Sequence, residues 1–262
     1  VSIAKNIYVI ALRETKSYIT SPMFYIVLGV FLLMSGFYFY TFLIDFDVYC
    51  KQVASQQIPL KISTLDLNVF VIRRHILNLA FISIFFLPIF TMRLLSEEKK
   101  NKTIELLMTS PIRSFEIIAG KYLSICLLWL FVCVVITIYP LLMMNLPEVS
   151  IDWPTYFATL GGFYLYSMLI MAIGLLASAL TENQLVAAII GFAISALLYF
   201  MYNLYQITES LIGRVFYDFS SISHFLDFYK GVIDTSNIVY YLTAAFFVLF
   251  VTERVLESQR WR

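Results

Sequence analysis

The chain has 262 residues and a formal net charge of +1; 61% of its residues are apolar, 17% aromatic and only 13% charged. A soluble domain carries roughly twice that share of charge, which excludes a soluble enzyme, a disordered chain and a nucleic-acid binder. The 18 Lys/Arg and 17 Asp/Glu leave six charge-free intervals, 17–44, 75–92, 122–147, 153–181, 183–208 and 235–252, each reaching the ~17–25 residues that a bilayer-crossing helix needs.

In chain order, residues 1–21 read as an amphipathic helix. Ser2, Lys5, Asn6, Arg13, Lys16 and Ser17 share one arc with Val9 among them, and Ile3, Ile7, Tyr8, Ile10, Ala11, Leu12 and Tyr18 take the rest, with Glu14 intruding. A basic stripe opposite Ile and Tyr suits a helix lying in the headgroup plane. Ser21-Pro22 ends it, because the residue before proline avoids the α region. The pattern then predicts an all-α polytopic protein with six transmembrane helices over 22–44, 76–92, 122–144, 156–180, 185–205 and 238–256. Residues 45–74, with Pro59 and several charges, read as an irregular outer loop. Pro88 should kink the second span near its inner end, and Pro140 lies near the outer end of the third. Residues 181–184 form a tight turn between spans four and five. Over 206–237, two short amphipathic helices, capped at Ser220-Ser221 and closed by Gly231, fit an outer re-entrant or interfacial hairpin.

With the N-terminus inside, 12 of the 18 Lys/Arg fall in inner segments and six in outer ones, although Arg73 and Arg74 dissent. The Lys/Arg bias sets orientation, so both termini should be cytoplasmic. Cys126 and Cys133, seven apart on one helical face, read as small packing residues, and Cys50 stands alone; no disulfide or metal spacing is present.

Chemistry is conspicuous by what is missing. Asp, Glu, Lys and Arg stop at the span ends, so no ionisable group is placed to couple an ion to transport. A phosphate-binding loop ending at Gly120-Lys121 fails because Phe115 stands where its first glycine belongs. His-Glu-x-x-His and Gly-x-Ser-x-Gly are absent, and His75 and His224 read as solvated loop-edge residues. The chain shows no fuel and no catalyst of its own.

Residues 93–121 read RLLSEEKKNKTIELLMTSPIRSFEIIAGK and hold ten of the 35 charges. Thr103 to Ser110 form a short apolar helix candidate, started by Asn101 or Thr103 and stopped by Pro111; Ser114 then caps the next helix, with Glu116 in its first turn. An apolar face on such a loop should have a protein to dock on, or else fold back on this chain's own inner surface.

At this loop the sequence resembles the membrane subunits of type 2 ABC transporters, the ABC exporter permeases. Glu97-Glu98, Thr103, Glu105-Leu106-Leu107, Thr109, Pro111 and Gly120-Lys121 carry the likeness. Ser21-Pro22, Leu180-Thr181-Glu182-Asn183-Gln184, His224-Phe225 and Lys230-Gly231-Val232-Ile233-Asp234 extend it to a branch resembling gliding-motility and nitrous-oxide-reductase-maturation permeases. The resemblance implies a bacterial cytoplasmic (inner) membrane protein that pairs with a second permease copy over two ATPase subunits. ATP and Mg would bind the ATPases, with no cofactor or metal on this chain. It implies a coupling surface at Glu97, Glu98, Thr103, Ile104, Glu105, Leu106, Leu107, Thr109, Ser110 and Pro111, and an interface helix carrying Lys5, Arg13 and Lys16. Small residues at four-residue spacing, Gly174 and Ser178 on span four and Ala187, Gly191 and Ser195 on span five, fit either packing within one chain or a dimer seam. The implied function is ATP-driven export of an unidentified substrate. The alternative is a mechanical transmitter that works an extracytoplasmic partner through the outer segments and translocates nothing.

Overall fold

A computed structural model of the chain describes residues 3–55, 66–103, 113–144, 150–207 and 211–260, and no strand occurs among them. The described helices are α1 (Ile3–Thr20), α2 (Pro22–Ser55), a π-helical turn (Asn68–Arg73) running into α3 (Arg74–Thr91), α4 (Arg93–Lys100), α5 (Ser114–Ile136), α6 (Ile138–Met143), α7 (Trp153–Leu180), α8 (Gln184–Ile207), the short pair α9 (Leu211–Phe219) and α10 (Ser221–Tyr229), and α11 (Thr235–Arg260). Among the described residues, six stretches are long and apolar enough to cross a membrane: Pro22–Val53, Asn68–Lys100, Ser114–Met143, Trp153–Leu180, Gln184–Tyr205 and Thr235–Ser258.

Helix α7 is the hub, packing on α3, α5, α8, α10 and α11. Its sequence explains why. Gly162, Ser167, Ala172, Gly174, Ala177, Ser178 and Ala179 are all buried, and small residues let helix backbones come close. A ring of aromatics fills the remaining space, with Trp129 against Phe31 and Phe163, and Phe225 against Tyr166. Both span cysteines, Cys126 and Cys133, are buried in this core. The other spans keep broad apolar faces, among them Phe37, Leu185, Ile189, Phe246 and Phe247, as helices against lipid or another apolar surface do.

Three expectations are corrected. The segment 45–74 is helical on both sides: α2 has 34 residues, about 51 Å of helix against a hydrocarbon core of about 30 Å. It is therefore long enough to extend past the hydrocarbon core. Aromatic interlock holds the projection to the π-helical turn: Tyr49 stacks on Phe70 at 5.5 Å, and the Arg74 guanidinium sits 4.6 Å from the Phe42 ring. Residues 56–65, with Pro59 and Lys61, lie outside the described residues.

The histidines are not solvated loop-edge residues. His75 is buried between Phe39 and Tyr139, with Nε2 3.2 Å from the Ser35 hydroxyl. His224 stacks on Tyr240 at 3.8 Å and reaches Asn237 at 2.7 Å. Both join helices, a role that loop composition could not reveal. Finally, Arg113 rather than Ser114 is the N-cap of α5, and the Glu116 carboxylate accepts its backbone N–H at 3.3 Å.

The α9–α10 hairpin lies on α7 and α8. Gly162 makes this possible, since a Cβ there would come within 2.4 Å of Phe228, and the Thr159 hydroxyl donates to the Phe228 carbonyl at 3.0 Å. Gly231, at φ 84°, ends α10 by letting its own N–H and that of Val232 turn back onto Phe228 and Asp227.

Candidate functional site

The segment singled out by sequence, 93–121, is described at both of its roots. Ile104, Glu105, Leu106, Leu107, Thr109, Ser110 and Pro111 lie outside the described residues. Glu97, Glu98 and Thr103 lie at the N-terminal root, on and just after α4.

Helix α4 stops abruptly. The Lys102 N–H donates to the Lys99 carbonyl and the Thr103 N–H to the Glu98 carbonyl, with Lys102 in the left-handed region at φ 55°. This is the same termination that Gly231 gives α10, here carried by a residue with a Cβ. The chain therefore leaves α4 in a fixed direction. The Thr103 hydroxyl adds a 3.2 Å bond to the Glu98 carbonyl.

The N-terminal root is fastened to α7. The Ser178 hydroxyl accepts from the Leu95 and Ser96 amides at 2.9 and 3.0 Å and donates to the Met92 carbonyl at 2.8 Å. One turn on, the Lys99 ammonium donates to the Ala179 carbonyl near the end of α7, where the helix dipole favours a cation. Met92 is the single turn residue between α3 and α4, four residues after Pro88.

The C-terminal root is fastened to α1. Lys121 is 2% exposed, and its ammonium meets Glu14 at 2.9 Å and Glu98 at 2.8 Å. Three helices, α1, α4 and α5, thus share one buried cation. Nearby, Asn6 donates to Glu116 at 3.1 Å. Gly120 allows α1 to close on α5, because a Cβ there would lie 2.7 Å from Ile10. The intruding Glu14 of the sequence pattern is explained: it faces Lys121 across a helix contact.

Between these helices lies a polar cavity of about 190 Å³ whose walls include Arg13, Glu14, Arg93, Glu97, Glu98 and Lys121. Arg93 donates to the Ser21 hydroxyl at 2.7 Å and lies 4.5 Å from the Tyr18 ring. Tyr18 donates to the Phe90 carbonyl at 2.8 Å, and burial pushes its hydroxyl above the usual tyrosine range, so it stays a donor. Lys5, Arg13 and Lys16 are exposed on α1, along with Ile3, Tyr8, Leu12 and Ile19.

The small-residue positions all lie in the interior of this one chain. A Cβ on Gly174 would meet the Thr91 hydroxyl at 1.9 Å, and one on Gly191 would meet Pro88 at 3.2 Å. Ala187 and Ser195 are each 1% exposed. The atoms that face Gly174 and Gly191 belong to α3 and α7. Sequence reasoning missed Ser178 as a hydrogen-bonding residue, Lys99 and Lys121 as ties, and Glu14 as a partner. The helical offset of Glu14 from its basic stripe was the signal for the last.

At the opposite end, His224, Asn237, Asp227 and Lys230 form a chain of contacts of 2.7, 3.1 and 3.2 Å. It pins the α9–α10 hairpin to the start of α11. Among the described residues no cluster of three or more His, Cys, Asp or Glu is arranged to hold a metal.

The family model described as ABC-2 family transporter protein matches residues 8–253. No curated protein matches the chain.

Proposed function

Because the chain belongs to the ABC-2 transporter family, and is thus a multi-pass membrane subunit of an ABC transporter, we propose that it couples ATP hydrolysis by separate ATPase subunits to export of an unidentified substrate. The observation that supports this most directly is the double anchoring of the inner segment. Its N-terminal root is bonded to α7, and its C-terminal root shares Lys121 with α1 and α4.

A push on residues 104–112 therefore meets helices at both ends rather than slack chain. The segment serves as the seat for the ATPase, with Leu106 and Leu107 as apolar contacts and Glu97, Glu98 and Glu105 as polar ones. ATP and Mg bind on the ATPase pair, and this chain contributes no catalytic group. A second permease copy completes the pathway. The α1 end and both termini face the cytoplasm of a bacterium, and the α9–α10 hairpin faces outward.

Co-purification of the ATPase with Leu106→Asp/Leu107→Asp tests the seat. The doubly charged variant should insert normally and lose the ATPase; unchanged co-purification would sink the assignment. Liposomes holding candidate substrates separate export from mechanical work on an extracytoplasmic partner. Flux that depends on ATP supports export, whereas stimulated hydrolysis without flux of any candidate supports the transmitter.

A further inference from the structure

We infer that Ser178 is a positioning residue that makes α4 and α7 move as one body, so that displacement of the inner segment reaches the central helix directly. The inference rests on the coupling reading above.

The Ser178 hydroxyl is used to capacity. It accepts two backbone N–H bonds and donates one, all to residues 92–96, which exhausts one proton and two lone pairs. The other buried serine on α7 behaves differently: Ser167 donates to Phe163 of its own helix at 2.7 Å. Ser178 instead crosses to another helix, at the turn residue where α3 gives way to α4.

Its neighbours continue the seam. Gly174, one turn earlier, lets the Thr91 side chain approach so closely that a Cβ would overlap it. Ala179, the next residue, accepts from Lys99. Thr91, Met92, Leu95, Ser96 and Lys99 thus meet Gly174, Ser178 and Ala179 along about two turns of α4 and its approach, and Ser178 and Ser96 are both 0% exposed. Polar bonds shielded from water are costly to leave unmade, so sliding α4 along α7 would take the Leu95 and Ser96 amides away from the Ser178 hydroxyl together. The α4–α7 contact resists shear more than apolar packing alone does. The segment's other root, by contrast, is held by side-chain ion pairs whose carboxylates keep 17% and 19% exposure.

Hydrogen–deuterium exchange on the full chain tests the tie without any partner. In Ser178→Ala, the amides of residues 92–100 should exchange on the order of tenfold faster, while Ser167→Ala, the same deletion on the same helix, leaves them unchanged. In complex with the ATPase, Ser178→Ala should bind the ATPase with unaltered affinity yet lose most of the permease-dependent stimulation of hydrolysis. Unchanged exchange in Ser178→Ala overturns the tie. Faster exchange with intact stimulation overturns the positioning role, and so does an equal loss of stimulation in Ser167→Ala. If the wild-type chain itself fails to stimulate the ATPase, the coupling reading falls, and the exchange result still decides whether α4 and α7 are tied.

Discussion

Replacing Lys121 with methionine tests the knot that joins α1, α4 and α5. Methionine keeps most of the apolar stem, so the main change is loss of the cation 2.9 Å from Glu14 and 2.8 Å from Glu98. Breaking a buried ion pair by removing one partner costs about 3–5 kcal/mol, because the remaining charge is left uncompensated. Here two carboxylates are left facing each other, but both retain some contact with water, at 17% and 19% exposure. That solvation discounts the penalty, and we expect a loss of about 2–3 kcal/mol. Unfolding of the purified protein by SDS, followed by tryptophan fluorescence, measures it. The companion variant Lys121→Met/Glu14→Gln/Glu98→Gln removes the stranded charges and should recover to within about 1 kcal/mol of wild type. A loss below about 0.5 kcal/mol in the single variant, with no gain in the triple, would refute the buried-clamp reasoning.

Gly174→Ala should destabilise by about 2–3 kcal/mol through overpacking against Thr91, and Thr91→Ala in the same chain should return part of the loss in the same unfolding assay. Lys102→Gly should stabilise by about 1 kcal/mol, since the left-handed backbone at φ 55° costs glycine nothing; a destabilised variant would contradict the helix-end geometry. With the native cysteines replaced, Lys100→Cys should label in intact cells only with a membrane-permeant maleimide, and Lys51→Cys with an impermeant one. The opposite pattern would invert the orientation.

The six spans were legible because membrane crossing is a one-dimensional property: about 20 apolar residues in a row suffice, wherever the partners lie. The helix ends at Pro22 and Gly231 were equally legible, since proline and glycine act on their own backbone. The segment 45–74 was misread for the converse reason. Its charges and Pro59 suggested a loop, but Tyr49 stacks on Phe70 and Arg74 sits over Phe42, long-range contacts that composition does not encode.

The low charge content that excludes a soluble protein also says that few charges are available to work with, and that those present are placed at span ends. Sequence alone determined that much. It could not say that Glu14 and Lys121, 107 residues apart, form one ion pair, or that Ser178 closes on amides more than 80 positions away. Those choices depend on which small residues let which helices touch. Gly120 brings α1 onto α5, and Gly174 brings α3 onto α7; only the packed structure decides which polar groups are then near enough to bond.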